Sequence, residues 1–95
     1  MGLPIVTFND VVDIGVNEST IAFPISENVK AGGFFVAFEG TKDASQILEY
    51  PAANVSLTVR CNGKGVARQG DLLTDDDSST TGIVSVSQVT TVLVE

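Results

Sequence analysis

The stretch of sequence that decides the fold reads Asn62-Gly63-Lys64-Gly65-Val66-Ala67-Arg68-Gln69-Gly70-Asp71. Its first two residues, Asn62 and Gly63, favour the tight turn of a β-hairpin because both tolerate positive φ. The residues before them alternate between apolar and polar side chains from Val55 onward, which is the period of a half-buried strand. We therefore predict a strand over residues 55–62 that is followed by a hairpin turn, with Cys61 as a small core residue.

A shift of the chain by 61 positions aligns this stretch with the first residues of the sequence. Residues 2–12 then lie on residues 63–73, and the match extends to a possible internal repeat of residues 2–28 and 63–89. The shift places Asp10 on Asp71, each directly before two aliphatic residues. An aspartate at such a position accepts backbone N–H groups in a turn, so we predict a structural role for both. No linker interrupts the sequence, and we treat residues 1–95 as one domain.

The rest of the chain also favours β structure. It contains 14 Val, 6 Ile and 9 Thr, whose branching at Cβ suits a pleated strand better than a helix. Strand-like runs cover residues 2–12, 20–26, 34–39 and 82–94. We therefore expect a mostly β, compact small domain of short strands and turns, with one short helix at most.

Residues 41–50 are the one helix-like piece. Thr41 or Asp43 is a candidate helix cap, and apolar residues recur behind them at helical spacing. These apolar residues are Ala44, Ile47 and Leu48. Pro51 ends the predicted helix.

The charge and the residue types exclude several classes of function. The formal net charge is −7, from 12 acidic and 5 basic residues, so nucleic acid and anionic membranes would repel the chain. The chain has no His and one Cys, which removes the commonest general base and an internal disulfide. An enzyme is the least expected class, because it would need carboxylates such as Asp10 and Asp71. No apolar run reaches the roughly 18 residues of a membrane span, and no secretory signal is visible.

The stretch 62–71 resembles the signature of PAAR-repeat proteins, the small β-rich cones that sharpen the spikes of type VI secretion systems, contractile phage tails and related injection particles. The family pattern is a strand, then Asn-Gly-Lys-Pro-Ala-Ala-Arg, one variable residue, Gly-Asp, a polar loop, and two further strands. The residues that match it are Asn62, Gly63, Lys64, Ala67, Arg68, Gly70 and Asp71. The likeness covers residues 54–95 and extends to residues 2–12 through the repeat.

The chain departs from the family pattern at two points. Gly65 and Val66 stand where the family has Pro-Ala. The resemblance implies His and Cys ligands that hold zinc near the apex, but the chain has no His and Cys61 matches no ligand position. We therefore expect neither zinc nor another cofactor. Candidate oxygen ligands for Ca²⁺ or Mg²⁺ are Asp75, Asp76 and Asp77. The alternative for this run is a solvated loop.

The resemblance implies a structural spike tip that caps a trimeric β-helical spike and sharpens it for membrane piercing, without catalytic activity. Its partner would be the trimeric spike or hub protein, with no nucleic acid, and a membrane only transiently during puncture. The expected location is a virion tail or a secreted injection apparatus, after production in the cytoplasm without a signal peptide. One alternative is a capsid decoration protein, or another minor virion protein, that forms a homotrimer. Another is a small β binding module that uses Tyr50 or Phe8 as an aromatic platform.

Overall fold

Ten short strands and one turn of 3-10 helix form the regular structure of the computed structural model, which describes residues 2–77 and 79–95. The strands are β1 (Leu3–Pro4), β2 (Val11–Ile14), β3 (Asn17–Thr20), β4 (Lys30–Ala31), β5 (Phe34–Phe35), β6 (Arg60–Cys61), β7 (Lys64–Gly65), β8 (Leu72–Thr74), β9 (Thr81–Ile83) and β10 (Leu93–Val94). The 3-10 turn covers Ala52–Asn54. β structure takes up 39% of the residues and helix 3%, so the predicted mostly β small domain is confirmed. None of the helices among these residues is long and apolar enough to cross a membrane.

Three antiparallel two-stranded pairs, which we call the short hairpins, repeat one another around the molecule. β4 pairs with β5 across the turn Gly32-Gly33, and β6 pairs with β7 across the turn Asn62-Gly63. The third pair, β1 with β10, brings together the two ends of the chain. Asn62 and Gly63 have φ angles of 54° and 83°, so the hairpin turn predicted for this dipeptide is confirmed.

A closed cycle of backbone hydrogen bonds links the segments that follow the short hairpins. The amide of Val6 donates to Ala67 O (3.0 Å), that of Ala67 to Ala37 O (3.1 Å), and that of Ala37 to Val6 O (3.0 Å). The segments therefore surround one pseudo-threefold axis within a single chain. We call them the inner ring, which consists of residues 5–8, 36–39 and 66–69. The first and the last of these segments are aligned by the shift of 61 residues, and the middle one is a third copy that the sequence did not reveal.

Three longer hairpins follow the ring segments and form a second layer. They cover residues 10–21, 41–50 and 71–84. The first contains β2 and β3, the third contains β8 and β9, and the middle one is joined by the bridge between Lys42 and Glu49. The bridges from one long hairpin to the next are Asp13–Ile83, Glu49–Thr74 and Ile21–Asp43. Because each long hairpin is bridged to both of the others, the layer closes around the axis.

The inner ring lies between two apolar cores. Successive side chains of an extended segment point to opposite sides, so Val6, Ala37 and Ala67 enter one core while the residues before them enter the other. The first core, under the long hairpins, further contains Val12, Ile21, Leu48, Tyr50, Val55, Leu73 and Val84. The second core, under the short hairpins, contains Ile5, Ala31, Val36, Phe38, Cys61, Val66, Val89 and Val94. The predicted core position of Cys61, a free and buried thiol, is confirmed.

The helix predicted over residues 41–50 is wrong, because this segment is a hairpin. Asp43 is the cause: its Oδ1 accepts the amide of Leu48 (3.0 Å), and its Oδ2 accepts the amide (3.3 Å) and the hydroxyl of Ser45. Such local acceptors compete with helical hydrogen bonds and favour a turn. Gln46 follows with a φ of 64°, which no α-helix contains. Of the predicted apolar face, Leu48 is buried and Ile47 is exposed.

The strand predicted over residues 55–62 is much shorter than expected. Only Arg60–Cys61 is strand, and Leu57 and Val59, on the predicted apolar face, are 75% and 39% exposed. The physical reason is a turn at Ser56, whose hydroxyl accepts the amides of Thr58 (3.3 Å) and Val59 (2.9 Å). These bonds to a side chain stand in place of a strand ladder and direct the chain outward.

Gly65 stands where the PAAR pattern has proline, and the packing explains the glycine. A Cβ atom at this position would lie 2.3 Å from the carbonyl oxygen of Ser56 and 2.6 Å from Val55 Cγ2. A carbonyl oxygen belongs to the backbone and does not move aside as a side chain does. The backbone of Ser56 therefore passes at a distance that only glycine permits.

We expect Gly65→Ala to lower the free energy of unfolding by about 3 kcal/mol, because the new methyl group meets a backbone carbonyl. Gly33→Ala is the control, since a Cβ at Gly33 has nothing within 4 Å and is opposed only by the φ of 87°. That strain costs about 1 kcal/mol. Urea unfolding of both variants measures the difference, and equal losses would contradict a constraint at Gly65.

The turn at Asp43 also predicts a dependence of stability on pH. Burial acts to raise the pKa of Asp43, but hydrogen bonds from the Ser45 hydroxyl and the Leu48 amide outweigh it and hold the pKa below its ordinary value. A carboxyl whose pKa is lower in the folded state stabilises the fold above its unfolded pKa of about 3.9. That contribution is lost as the pH falls through the lower, folded pKa.

Asp43→Asn is therefore expected to unfold more easily at neutral pH, by about 2 kcal/mol, and to lose less stability than the wild type below about pH 4. Asp76→Asn, in an exposed turn, removes the same formal charge and serves as the control. Urea midpoints measured from neutral to acid pH give both results. A variant that keeps the acid response of the wild type would contradict this role for Asp43.

Candidate functional site

Each segment of the inner ring ends in a β-turn that is closed by the side chain of its fourth residue. The closing contacts run from the amides of Thr7, Phe38 and Arg68 to Asp10 Oδ2 (2.9 Å), Thr41 Oγ1 (3.1 Å) and Asp71 Oδ2 (2.9 Å). The third residues of the turns have positive φ and are Asn9 (72°), Gly40 (94°) and Gly70 (92°). Glycine adopts this conformation freely and asparagine does so more readily than most residues. The three turns are therefore equivalent in backbone shape and in hydrogen bonding.

Asp10 also links the two ends of the chain. Asp10 is 2% exposed, and its carboxylate accepts the hydroxyl of Ser87 (3.2 Å) and the amide of Gln88 (2.9 Å). The side-chain amide of Gln88 then donates to Thr7 Oγ1 (2.9 Å) and Phe8 O (2.7 Å). We call each ring segment together with the turn that follows it a unit, so the three units are residues 5–10, 36–41 and 66–71. These side-chain hydrogen bonds add to the β1–β10 pairing that brings the first and last residues of the chain together.

Asp71, the counterpart of Asp10, has a cation instead of these partners. Arg68 Nε donates to Asp71 Oδ2 (3.0 Å) and Arg68 Nη2 donates to Asp71 Oδ1 (3.0 Å). This two-point contact holds both side chains in one geometry. The pair stabilises its own turn, and in the part of the chain that the structure describes the Asp71 carboxylate accepts hydrogen bonds from Arg68 alone.

The other residues that match the PAAR pattern lie within or directly before the unit 66–71. Asn62 and Gly63 form the hairpin turn, and Lys64 follows in β7 with its Nζ 5.5 Å from the centroid of the Phe38 ring. Ala67 is buried in the inner ring, and the amide of Gly70 donates to Val84 O (3.0 Å). The motif therefore shapes two turns and the ring segment between them.

The sequence did not reveal the third copy of this unit, residues 36–41. Its signal was a second shift, of 30 positions, which places Ala37 on Ala67 and Gly40 on Gly70. Thr41 stands where the other two units have aspartate. A hydroxyl accepts one amide hydrogen bond as a carboxylate does, so the geometry persists although the residue type changes.

The candidate metal ligands at residues 75–77 serve a turn. Asp75 Oδ2 accepts the hydroxyl of Ser79 (2.9 Å), and Asp77 Oδ1 accepts its amide (3.1 Å). Within residues 2–77 and 79–95, no group of three or more His, Cys, Asp or Glu side chains is placed to hold a metal ion. Cys61 lies in the second core, at the level of Ala31 and Val94 in the other short hairpins. Those neighbours offer no ligand atoms in their side chains, so these residues do not fit a zinc site.

Tyr50 is fully buried in the first core and is therefore no exposed aromatic platform, contrary to one alternative from the sequence. Its hydroxyl has no hydrogen-bond partner in the described part of the chain. Burial, and then the negative charges of Asp71 and Asp10, raise the pKa of Tyr50 above its ordinary value. The phenol thus stays neutral and contributes apolar packing. Phe8 is partly exposed.

The pseudo-threefold symmetry extends to the surface of the short hairpins. The equivalent residues are Val29, Val59 and Val92, whose carbonyl groups accept the amides of Val36 (3.2 Å), Val66 (3.1 Å) and Ile5 (3.0 Å). Their side chains are 40%, 39% and 37% exposed. One chain therefore presents three matching apolar positions around its axis.

No family model, no curated protein and no solved structure matches this chain.

The unequal partners of Asp10 and Asp71 predict unequal effects of the same substitution. Asp10→Asn is expected to lower the free energy of unfolding by about 3 kcal/mol, because an amide replaces one acceptor oxygen inside a buried network. Asp71→Asn is the matched control and should cost about 1 kcal/mol, since Arg68 is only partly buried and retains access to water. Urea unfolding measures both. A larger loss for Asp71→Asn would contradict the linking role of Asp10.

Proposed function

We propose that this chain is a PAAR-like spike tip that caps a trimeric β-helical spike of a contractile injection machine or phage tail. The observation that carries the proposal is the inner ring, in which three segments of one polypeptide are related by a pseudo-threefold axis. A homotrimeric spike ends in a threefold surface. A single chain that repeats one surface three times around an axis can contact all three subunits of such a spike in the same way.

The surface of the short hairpins supports this assignment. Val29, Val59 and Val92 have nearly equal exposure, so three identical apolar sites on a trimer would find three matching ones here. A decoration protein that forms a homotrimer obtains threefold symmetry from three copies. A chain that already contains the symmetry does not need further copies to fit a threefold site, which favours the tip over the capsid alternative.

The architecture also suits a mechanical role. The ring segments are hydrogen-bonded to one another, and the long hairpins close around the axis. A load applied along the axis would therefore be shared among three units, with two apolar cores packed on either side of the ring. Interiors packed in this way resist compression.

The proposal predicts a complex of one copy of this chain with one spike trimer. The experiment mixes the purified chain with the trimeric spike protein encoded by the same genome and measures the mass of the complex by native mass spectrometry. The expected stoichiometry is one to three. The control is a spike trimer that is truncated at the end of its β-helix, and this truncated trimer should not bind the chain. A stable homotrimer of this chain with no affinity for the spike would overturn the proposal in favour of the capsid decoration alternative.

A further inference from the structure

The outer strands of the short hairpins leave equivalent backbone groups open. The hydrogen bond from Val36 N to Val29 O places the next residue, Lys30, in a non-hydrogen-bonded pair with its opposite residue. The amide and carbonyl of Lys30 therefore point away from the hairpin, and no hydrogen bond in the described part of the chain reaches them. Arg60 and Leu93 occupy the same position in the other short hairpins. Three open strand edges therefore surround the axis.

The charges divide between the short and the long hairpins. The short hairpins, residues 3–4, 30–35, 60–65 and 93–94, contain no acidic residue. Their charged residues are Lys30, Arg60 and Lys64. The long hairpins contain nine of the 12 acidic residues and one cation, Lys42. The charged residues within the short hairpins are therefore all cations, and the remaining three acidic residues, Glu27, Glu39 and Glu95, lie outside both sets of hairpins.

Aromatic rings and backbone hold the three cations of the short hairpins in place. The contacts are Lys30 Nζ to the Phe35 ring centroid (4.7 Å), Lys64 Nζ to the Phe38 ring centroid (5.5 Å) and Arg60 Nη1 to Gly63 O (3.1 Å). The salt bridges among the described residues use the other two cations, Lys42 with Glu49 (3.8 Å) and Arg68 with Asp71 (3.0 Å). Within residues 2–77 and 79–95, no salt bridge joins Lys30, Arg60 or Lys64 to a carboxylate.

We propose that the short hairpins are the docking end of the molecule and that the partner surface carries acidic side chains beside three exposed strand edges. This inference rests on the proposed function, to which it adds the face that docks and the chemistry of the partner. Open strand edges pair with strand edges of another protein, and opposite charges at their rim speed and orient the encounter. Nucleic acid or an anionic membrane would satisfy the cations but would leave the open backbone groups without strand partners.

The test compares charge reversals on the two layers. Lys30→Glu and Arg60→Glu are each expected to weaken binding to the genome's own spike trimer by about fivefold, and the triple variant with Lys64→Glu by more than tenfold. Lys42→Glu, on a long hairpin, makes the same change of charge and should leave binding within about twofold. Wild-type binding should weaken as salt rises from about 0.1 M to about 1 M. Circular dichroism and thermal unfolding establish that each variant is folded.

Hydrogen exchange of the wild-type complex tests the strand edges separately. The amides of Lys30, Arg60 and Leu93 should become protected on binding, while the exposed tip of a long hairpin at Val16 should not. Equal binding of the wild type and the charge-reversed variants would overturn the assignment of the docking end, and so would protection of the long hairpins instead. Either result would leave the proposed spike-tip function standing. A wild type that does not bind the spike would overturn both.

Discussion

The cycle of hydrogen bonds among Val6, Ala37 and Ala67 is the constraint on which the rest of the structure depends. Each amide in the cycle finds its acceptor on a different segment, so no segment of the ring is satisfied unless the other two are present. Pairs of two-residue strands are not stable in isolation. Here each short hairpin extends a ring segment, and all three contribute to one apolar core. The small side chains of the cycle allow three backbones to approach a common axis.

The symmetry of the ring is one of backbone geometry, while the side chains that maintain it differ among the units. Asp10 is buried and has neutral donors, Thr41 uses a hydroxyl, and Asp71 has a guanidinium partner. The differences follow from position in the chain. Asp10 lies where the first residues of the chain pack against the last ones without a peptide connection. Its carboxylate therefore also accepts hydrogen bonds from Ser87 and Gln88.

How far the sequence predicted this structure depends on whether the signal was local. The turn at Asn62-Gly63 depends on the φ preferences of two adjacent residues, and its prediction is confirmed. The shift of 61 positions aligned two segments that make the same hydrogen bonds. The sequence did not reveal the third copy because its shape is held by backbone hydrogen bonds at Ala37, which are compatible with different side chains. The prediction of a helix at residues 41–50 was wrong. The spacing of apolar residues does not show that the Asp43 carboxylate accepts backbone amides and so stabilises a turn.

The alternation over residues 55–62 was misleading for a related reason. Period-2 spacing gives a strand only where a backbone partner continues beside it, and here the Ser56 hydroxyl accepts the amides of Thr58 and Val59 instead. The consequence reaches Gly65, which must accommodate the backbone that Ser56 brings close. The glycine at this position, where the pattern that the sequence resembles has proline, therefore fits the packing of this structure.

A homotrimeric partner offers three identical edges, whereas this chain offers Lys30, Arg60 and Leu93 at its three open positions. Identical side-chain contacts at all three edges are therefore excluded by the sequence. The backbone amides and carbonyls at these positions remain equivalent, as do the exposed valines beside them. Under the proposed function, the backbone and the valines would provide the threefold fit. Lys30 and Arg60 would determine which layer contacts the spike. An acidic spike surface would attract these cations of the short hairpins and would repel the acidic long hairpins.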